Sequence, residues 1–238
     1  MKKVIIIGAT SGIGKALAMI YLKNGSQVGI TGRRKELLEE MQNTYPSQVF
    51  IESFDVRADD AVQHFDSLVM KMGGMDLLIY NAGYGDVSEK LDWEIDKQTY
   101  ETNVKGFISI VNRAYNYFVN QGYGQVAAIS SIASNRGAGA APAYSASKAF
   151  MSRYMEGLYI KVAKTKLPIF ITDIQPGFVA TKLAKSNKLF WVVPLEKASK
   201  QIYIAISKKK PRAYISRRWV LVAWALKWMP GWIYRRIL

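Results

Sequence analysis

Cysteine is absent from this chain of 238 residues. That excludes disulfides and thiolate metal centres and is compatible with a reducing compartment. Histidine occurs once, as His64, in a helix-like stretch from Asp59 to Met72. An exposed face residue is a simpler reading of it than a ligand, and no metal is expected. Internal repeats and low-complexity linkers are also lacking. The length suits one α/β domain with a large core, taken as residues 1–216, followed by a tail, 217–238, that is not a separate domain. No signal-peptide pattern precedes the first apolar run, because Met1-Lys2-Lys3 leads straight into it, so a cytoplasmic location is expected. Negative charge is scarce: 18 acidic residues face 33 basic ones, leaving a net +15. An excess of that size suits an anionic partner. No nucleic-acid-binding motif accompanies it, so no nucleic acid is expected, and acidic lipid is the better match.

What the chain does contain begins with Val4-Ile5-Ile6-Ile7, a short apolar run suited to a strand buried on both faces. Gly8-Ala9-Thr10-Ser11-Gly12-Ile13-Gly14 follows at once, and Lys15 to Lys23 reads as an amphipathic helix. Strand, glycine turn and helix in that order form a dinucleotide signature. The glycines let the backbone approach a pyrophosphate, and free N–H groups at the helix N-terminus stabilise the anion. The second strand, Gln27 to Thr31, ends where an NAD-binding protein usually offers a carboxylate to the ribose 2′-hydroxyl. Here Gly32, Arg33 and Arg34 follow. A missing anion and a new guanidinium fit a 2′-phosphate, so NADP(H) is favoured over NAD(H). Arg33 is the preferred phosphate contact and Arg34 the second; the alternative is that both are solvated charges opening the next helix.

Further along, Tyr144 precedes Lys148 by four residues, with Ser131 thirteen residues upstream of the tyrosine and Asn103 further back. On a helix, i and i+4 share a face, so phenol and ammonium address one small volume. A phenol of reference pKa near ~10 is a poor acid–base catalyst at pH 7, and a neighbouring lysine charge is expected to lower that value.

The Gly-x-x-x-Gly-x-Gly spacing, with these four residues, resembles the short-chain dehydrogenase/reductase family along almost the whole chain up to about residue 216. Asn81-Ala82-Gly83 after the apolar strand Met75–Tyr80 resembles the family's Asn-Ala-Gly turn bordering the cofactor. Asp55-Val56 resembles its adenine-contacting pair, and Pro176-Gly177 with Val179 and Thr181 its segment beside the nicotinamide carboxamide. One departure concerns the cofactor: Ser11 stands in the glycine turn where NADP-preferring relatives often carry a basic residue. The resemblance implies a doubly wound, seven-stranded parallel sheet of Rossmann type, order 3-2-1-4-5-6-7, with helices on both faces and the site at the strands' C-terminal edge. Strands are expected near 4–7, 27–31, 48–53, 75–80, 125–131, 168–174 and 212–216. The resemblance also implies roles. Tyr144 would be general acid in reduction and base in oxidation, and Ser131 would orient the carbonyl oxygen. Lys148 would bind the nicotinamide ribose and depress the tyrosine pKa, and Asn103 would hold a relay water. Ser130 should face away from Ser131, while Ser145 and Ser147 serve packing or the helix start. Pairing of long helices near 97–120 and 142–165 would give a homodimer or homotetramer.

The tail holds four of the six tryptophans, flanked by Arg217, Arg218, Lys227, Arg235 and Arg236. Its apolar run Trp219–Leu226 is too short for a bilayer crossing, which takes roughly 20 residues. Trp224 and Trp228 with Leu221 would line one helix face, broken at Pro230-Gly231. Such a composition fits an anionic membrane interface at the inner face of a membrane, or equally core packed beside the substrate pocket. Between Pro176 and Pro194, Phe178, Leu183, Leu189, Phe190, Trp191, Val192 and Val193 would form an apolar lid, or pack onto the core. The expected function is NADP(H)-dependent interconversion of a ketone or aldehyde and an alcohol on a hydrophobic, lipid-like substrate. The alternatives are a dinucleotide-sensing protein without meaningful turnover and a peripheral membrane scaffold.

Overall fold

The computed structural model describes residues 1–87, 90–181 and 190–237, the last without its side chain. Strands and helices alternate: β1 (Lys3–Ile7), α1 (Gly12–Lys23), β2 (Gln27–Gly32), α2 (Lys35–Thr44), β3 (Val49–Ser53), α3 (Ala61–Lys71) and β4 (Leu77–Tyr80). Then come α4 (Trp93–Tyr100), a π-helical turn (Glu101–Lys105), α5 (Gly106–Gln121), β5 (Gly124–Ile129), a 3-10 turn (Ile132–Asn135) and α6 (Pro142–Ala163). The chain closes with β6 (Ile169–Pro176), α7 (Leu195–Ser207), β7 (Arg212–Ile215), α8 (Trp219–Trp228) and α9 (Gly231–Ile237). The seven strands form one parallel sheet in the order β3-β2-β1-β4-β5-β6-β7, as expected.

Alternation along β1 shows how its apolar run builds two cores. Successive side chains of a strand point to opposite faces. Ile5 and Ile7 pack with Phe65 of α3, Phe107 of α5 and Met151 of α6. Val4 and Ile6 pack on the other side with Leu17 of α1, Leu38 of α2 and Ile202 of α7. Local chemistry marks the helix ends. Asp92 caps α4 by accepting from Glu94 N at 2.9 Å, Pro142 opens α6, and α5 stops at Gly122 in the left-handed region (φ 86°).

Because β1 lies between β2 and β4, the chain winds away from it in both directions and leaves a crevice at its C-terminal end. Ile7 is level with both Thr31 and Tyr80, so the turns after β1, β2 and β4 meet there. β5 ends at Ile129, two residues before the expected Ser131. Ser131 instead accepts from Ala133 N at 3.1 Å and turns the chain out of the sheet.

Candidate active site

The glycine turn is shaped by atoms that have no room to exist. A Cβ on Gly8 (φ +84°) would lie 2.8 Å from the backbone of Ala82, and one on Gly14 would lie 2.1 Å from Gly8 O. Asn81 Nδ2 donates to Gly8 O at 2.6 Å and ties the two turns together. Ser11 precedes α1 in extended conformation and gives no side-chain cap, so the first amides of α1 keep their capacity for an anion. Gly12 (φ +55°) faces Thr181, whose Cγ2 would be 3.6 Å from a Cβ there. The segment after β6 therefore runs over the turn, where Val179 is buried and bridges to Val193. Ile13, partly buried, packs into the core beneath.

The two arginines after β2 part company. Arg34 folds back and donates from Nη2 to Thr10 Oγ1 and, at 2.9 Å, to Ser11 Oγ. Gly32 permits this closeness, since a Cβ would fall 2.6 Å from Thr10 Cγ2. Arg33 is largely exposed and lies 3.8 Å from Asp55. Arg34 therefore lies against the glycine turn, whereas Arg33, the preferred phosphate contact from the sequence, points toward Asp55. Asp55 is gripped by Arg57, whose Nη2 donates at 2.7 Å. Burial alone would raise the Asp55 carboxyl, but the Arg57 hydrogen bonds and charge prevail and hold it below the usual range. Arg57 was not singled out beforehand; a cation two residues after the aspartate is its one sequence signal. Val56 is buried, and its carbonyl would be 2.6 Å from a Cβ on Gly106. A nicotinamide dinucleotide fits this cradle: close backbone approach, uncapped amides and a guanidinium at the end of β2.

At the chemical end, α6 presents Tyr144 and Lys148 as its spacing requires. Lys148 Nζ lies 5.7 Å from the Tyr144 ring centroid and donates to Ile129 O at 3.0 Å. Ser131 is buried nearby, and its hydroxyl acts to lower the phenol's pKa. The tyrosine's titration departs from expectation: burial raises Tyr144 above its ordinary value, and Ser131 opposes the rise only in part. Lys148 is itself buried, and burial lowers it to about 8 against the opposing charge of Asp173. Desolvation thus outweighs the charge-pair argument made from the i,i+4 spacing.

Behind the lysine stands a carboxylate that sequence reasoning missed. Asp173 on β6 is buried, accepts from Ser130 Oγ, from Ser152 Oγ at 2.7 Å and from Gln175 Nε2 at 2.8 Å, and lies 3.5 Å from Arg212 Nε. An acidic residue inside the apolar strand Ile169–Ile174 was the available signal. Ser130 faces this network, donating to Asp173 and to Ile174 O at 3.0 Å. Asn103, in the π turn, is fully buried. Its Oδ1 accepts from Tyr84 N at 2.9 Å, and its Nδ2 donates to Tyr84 O at 2.7 Å and Ser147 Oγ at 2.9 Å. It thereby fixes Tyr84, between Gly83 and Gly85, beside α6. A Cβ on Gly83 would lie 3.3 Å from Lys148 Nζ and 3.6 Å from Asn103 Oδ1, and one on Gly85 would lie 2.2 Å from the Tyr144 ring. Ser145 donates to Pro142 O at 3.0 Å in the first turn of α6, a helix-start role.

The tail packs against the segment after β6. Trp219 is buried with ring centroids 5.4 Å from Phe178, 5.1 Å from Phe190 and 6.2 Å from Trp191. A Cβ on Gly177 would lie 2.0 Å from its indole. Leu183 and Leu189 of the expected lid lie outside the described residues. Among the described residues no cluster of three metal-ligand side chains occurs, and no helix is long and apolar enough to cross a membrane.

Residues 2–189 match the family model described as short chain dehydrogenase. The chain belongs to the short-chain dehydrogenase family. The dehydrogenase is 32% identical over 189 residues to an uncharacterized oxidoreductase of Myxococcus xanthus, covering 77% of this chain and 74% of the relative. It is 28% identical over 180 residues to the NADP-dependent 3-hydroxy acid dehydrogenase YdfG of Escherichia coli, covering 74% and 72% of the two chains. Among solved structures, serine dehydrogenase from Escherichia coli superposes with a TM-score of 0.74 at 26% identity, over 85% of this chain and 90% of that one. The closed form of serine dehydrogenase complexed with NADP+ gives a TM-score of 0.80 at 24% identity over 90% and 94%, a likeness of fold. This short-chain dehydrogenase is an oxidoreductase that acts on CH–OH or carbonyl groups with a nicotinamide dinucleotide.

Proposed function

We propose that this dehydrogenase uses NADP(H) in preference to NAD(H) to interconvert a hydrophobic, lipid-like ketone or aldehyde and its alcohol. The observation that carries the reading is the convergence of the Ser131 hydroxyl, the Tyr144 phenol and the buried Lys148 ammonium on one volume. When bound, the nicotinamide supplies or accepts the hydride. In reduction, Tyr144 donates its phenolic proton to the carbonyl oxygen, and Ser131 Oγ–H holds the same oxygen as negative charge develops on it. Lys148 would hold the nicotinamide ribose when the cofactor is bound, and its ammonium would lessen the cost of the resulting phenolate. Asn103 keeps residues 83–85 in place and borders the route by which protons return to Lys148.

Cofactor preference rests on Gly32 standing where a carboxylate would meet a 2′-hydroxyl, and on Arg34 lying against the glycine turn. Preference for an apolar substrate is supported by the aromatic wall of Phe178, Phe190, Trp191 and Trp219. Residues 1–216 serve as the catalytic domain and 217–238 as its tail. Exposed Ile108 on α5 and Phe150, Tyr159 and Ile160 on α6 support a homodimer or homotetramer paired through these helices. The site of action is the cytoplasm, at the inner face of a membrane.

The deciding experiment titrates the purified protein with NADPH and NADH, then follows NADPH oxidation against ketones of increasing chain length. Tighter NADPH binding and turnover that rises with chain length are expected. Tight NADPH binding without turnover on any carbonyl would favour a sensing protein on the same fold, and failure to bind either cofactor would overturn the reading.

A further inference from the structure

The charge of this protein is not spread evenly. After Glu196 the sequence contains eleven lysines and arginines and no acidic residue, so residues 197–238 hold eleven of the fifteen net positive charges. α8 and α9 lie within that stretch, and their two sides differ. The inner side is fastened: Trp219 and Ala223 are buried, and Arg136, from the segment after Ser131, donates to Leu226 O at 3.0 Å and to Met229 O. The Arg136 guanidinium also lies 4.5 Å over the Tyr234 ring, whose hydroxyl donates to Gly137 O at 2.6 Å. A cation on the last carbonyls of α8 suits that end of the helix.

The outer side is open. Leu221, Trp224 and Trp228 recur at helical spacing with exposures of 67%, 67% and 66%, and Trp232 of α9 follows at 59%. The neighbouring cations do not cover these rings so much as accompany them: Lys227 Nζ lies 5.6 Å from the Trp228 centroid and the Arg236 guanidinium 5.9 Å from that of Trp232. Water is a poor environment for so many large apolar groups side by side.

We propose that α8 and α9 form a docking surface for anionic lipid, with Leu221, Trp224, Trp228 and Trp232 at headgroup depth and Lys227, Arg235 and Arg236 toward the lipid phosphates. This deepens the reading of an apolar carbonyl substrate and rests on it only for its benefit to the enzyme. Indole rings beside cations suit the boundary between headgroups and acyl chains. A second copy of the chain is a poor occupant, since an isologous contact would set helices that carry Lys227, Arg235 and Arg236 and no acidic residue against themselves. Two segments that flank the catalytic groups, residues 134–139 and 177–178, are tied to the inner side of the same helices through Arg136 and Trp219. Docking would therefore place the mouth of the cleft beside the bilayer, where apolar carbonyl compounds are concentrated.

The test uses the full-length protein with vesicles of phosphatidylcholine alone or mixed with phosphatidylglycerol. Cosedimentation and the blue shift of tryptophan emission are the readouts, at low and high salt. Binding to the anionic vesicles is expected to exceed binding to neutral ones at least about tenfold and to weaken with salt. Trp224→Ser, Trp228→Ser and Trp232→Ser together should abolish it. Arg235→Gln with Arg236→Gln should reduce it by roughly fivefold per cation. Both variants should bind NADPH like the parent, which shows that they are folded. No partition onto anionic vesicles, or equal partition of the triple variant, overturns the proposal. So does a parent that self-associates through this face while the triple variant does not. Loss of NADPH binding in the parent would instead count against the enzyme reading and leave the vesicle result to be judged separately.

Discussion

The glycine turn and the C-terminal helices are both held by an arginine that folds back on the chain, yet they are built on opposite principles. At the turn, Arg34 meets Thr10 and Ser11 across a backbone so close-packed that Gly8 and Gly14 leave no space for a Cβ. In the tail, Arg136 meets the carbonyls of Leu226 and Met229, and the contact is shaped by bulk, with Trp219 filling the space left by Gly177. One region works by the absence of side chains, which brings the main chain of two turns into contact. The other works by a large side chain and leaves three further tryptophans outside. The difference teaches where each region is vulnerable: the turn to added atoms, the tail's inner side to removed ones.

The largest effect should come from the chemistry between the two regions. Tyr144→Phe is expected to lower kcat/KM by about 10³-fold while the NADPH dissociation constant stays within about twofold, checked by steady-state kinetics and fluorescence titration. An unchanged rate would remove Tyr144 from the mechanism. The contrast within the tail comes next. Trp219→Ala should cost about 3 kcal/mol or more in urea unfolding, whereas Trp224→Ala should fall within about 0.5 kcal/mol of the parent. Equal costs would erase the distinction between inner and outer faces. At the turn, Arg34→Ala should weaken NADPH binding about tenfold and leave NADH binding nearly unchanged, with a smaller effect for Arg33→Ala. The reverse ranking would restore Arg33 as the phosphate contact.

The smallest effect concerns pH. Lys148 is held near a pKa of about 8, below its ordinary 10.5. Between those values the unfolded chain binds a proton that the folded chain has released, so the unfolding free energy should rise with pH across that window. Below about pH 8 the folded protein bears the full cost of a buried charge. Lys148→Met should flatten the rise by on the order of 1 kcal/mol, read from urea denaturation of cofactor-free protein from pH 8 to pH 10. A slope identical to the parent's would falsify the assignment to Lys148.

The glycine spacing, the apolar runs and the Tyr144–Lys148 pair were legible because each depends on local periodicity or on a residue type with few substitutes. Strand order followed from the family resemblance these motifs carry. The contact of Arg34 with Thr10 and Ser11, the Arg57 grip on Asp55 and the Asp173 network were not legible, because adjacent or interior polar residues reveal their partners only once distant strands align. The Tyr144 titration was misjudged for the same reason. A helical spacing shows that a lysine is near; burial decides what each group costs to ionise.

By itself, the sequence determined the parallel sheet, the glycine turn and the pairing of Tyr144 with Lys148 on one helix face, since strand alternation, glycine's missing Cβ and i,i+4 geometry act over a few residues. Only the tertiary structure decided which tryptophan is core and which are surface. Trp219, Trp224, Trp228 and Trp232 are the same letter with nearly the same neighbours, and what separates them is contact with Gly177, Phe178 and Phe190, brought from some thirty to forty residues away in the chain by the closing of β6 and β7.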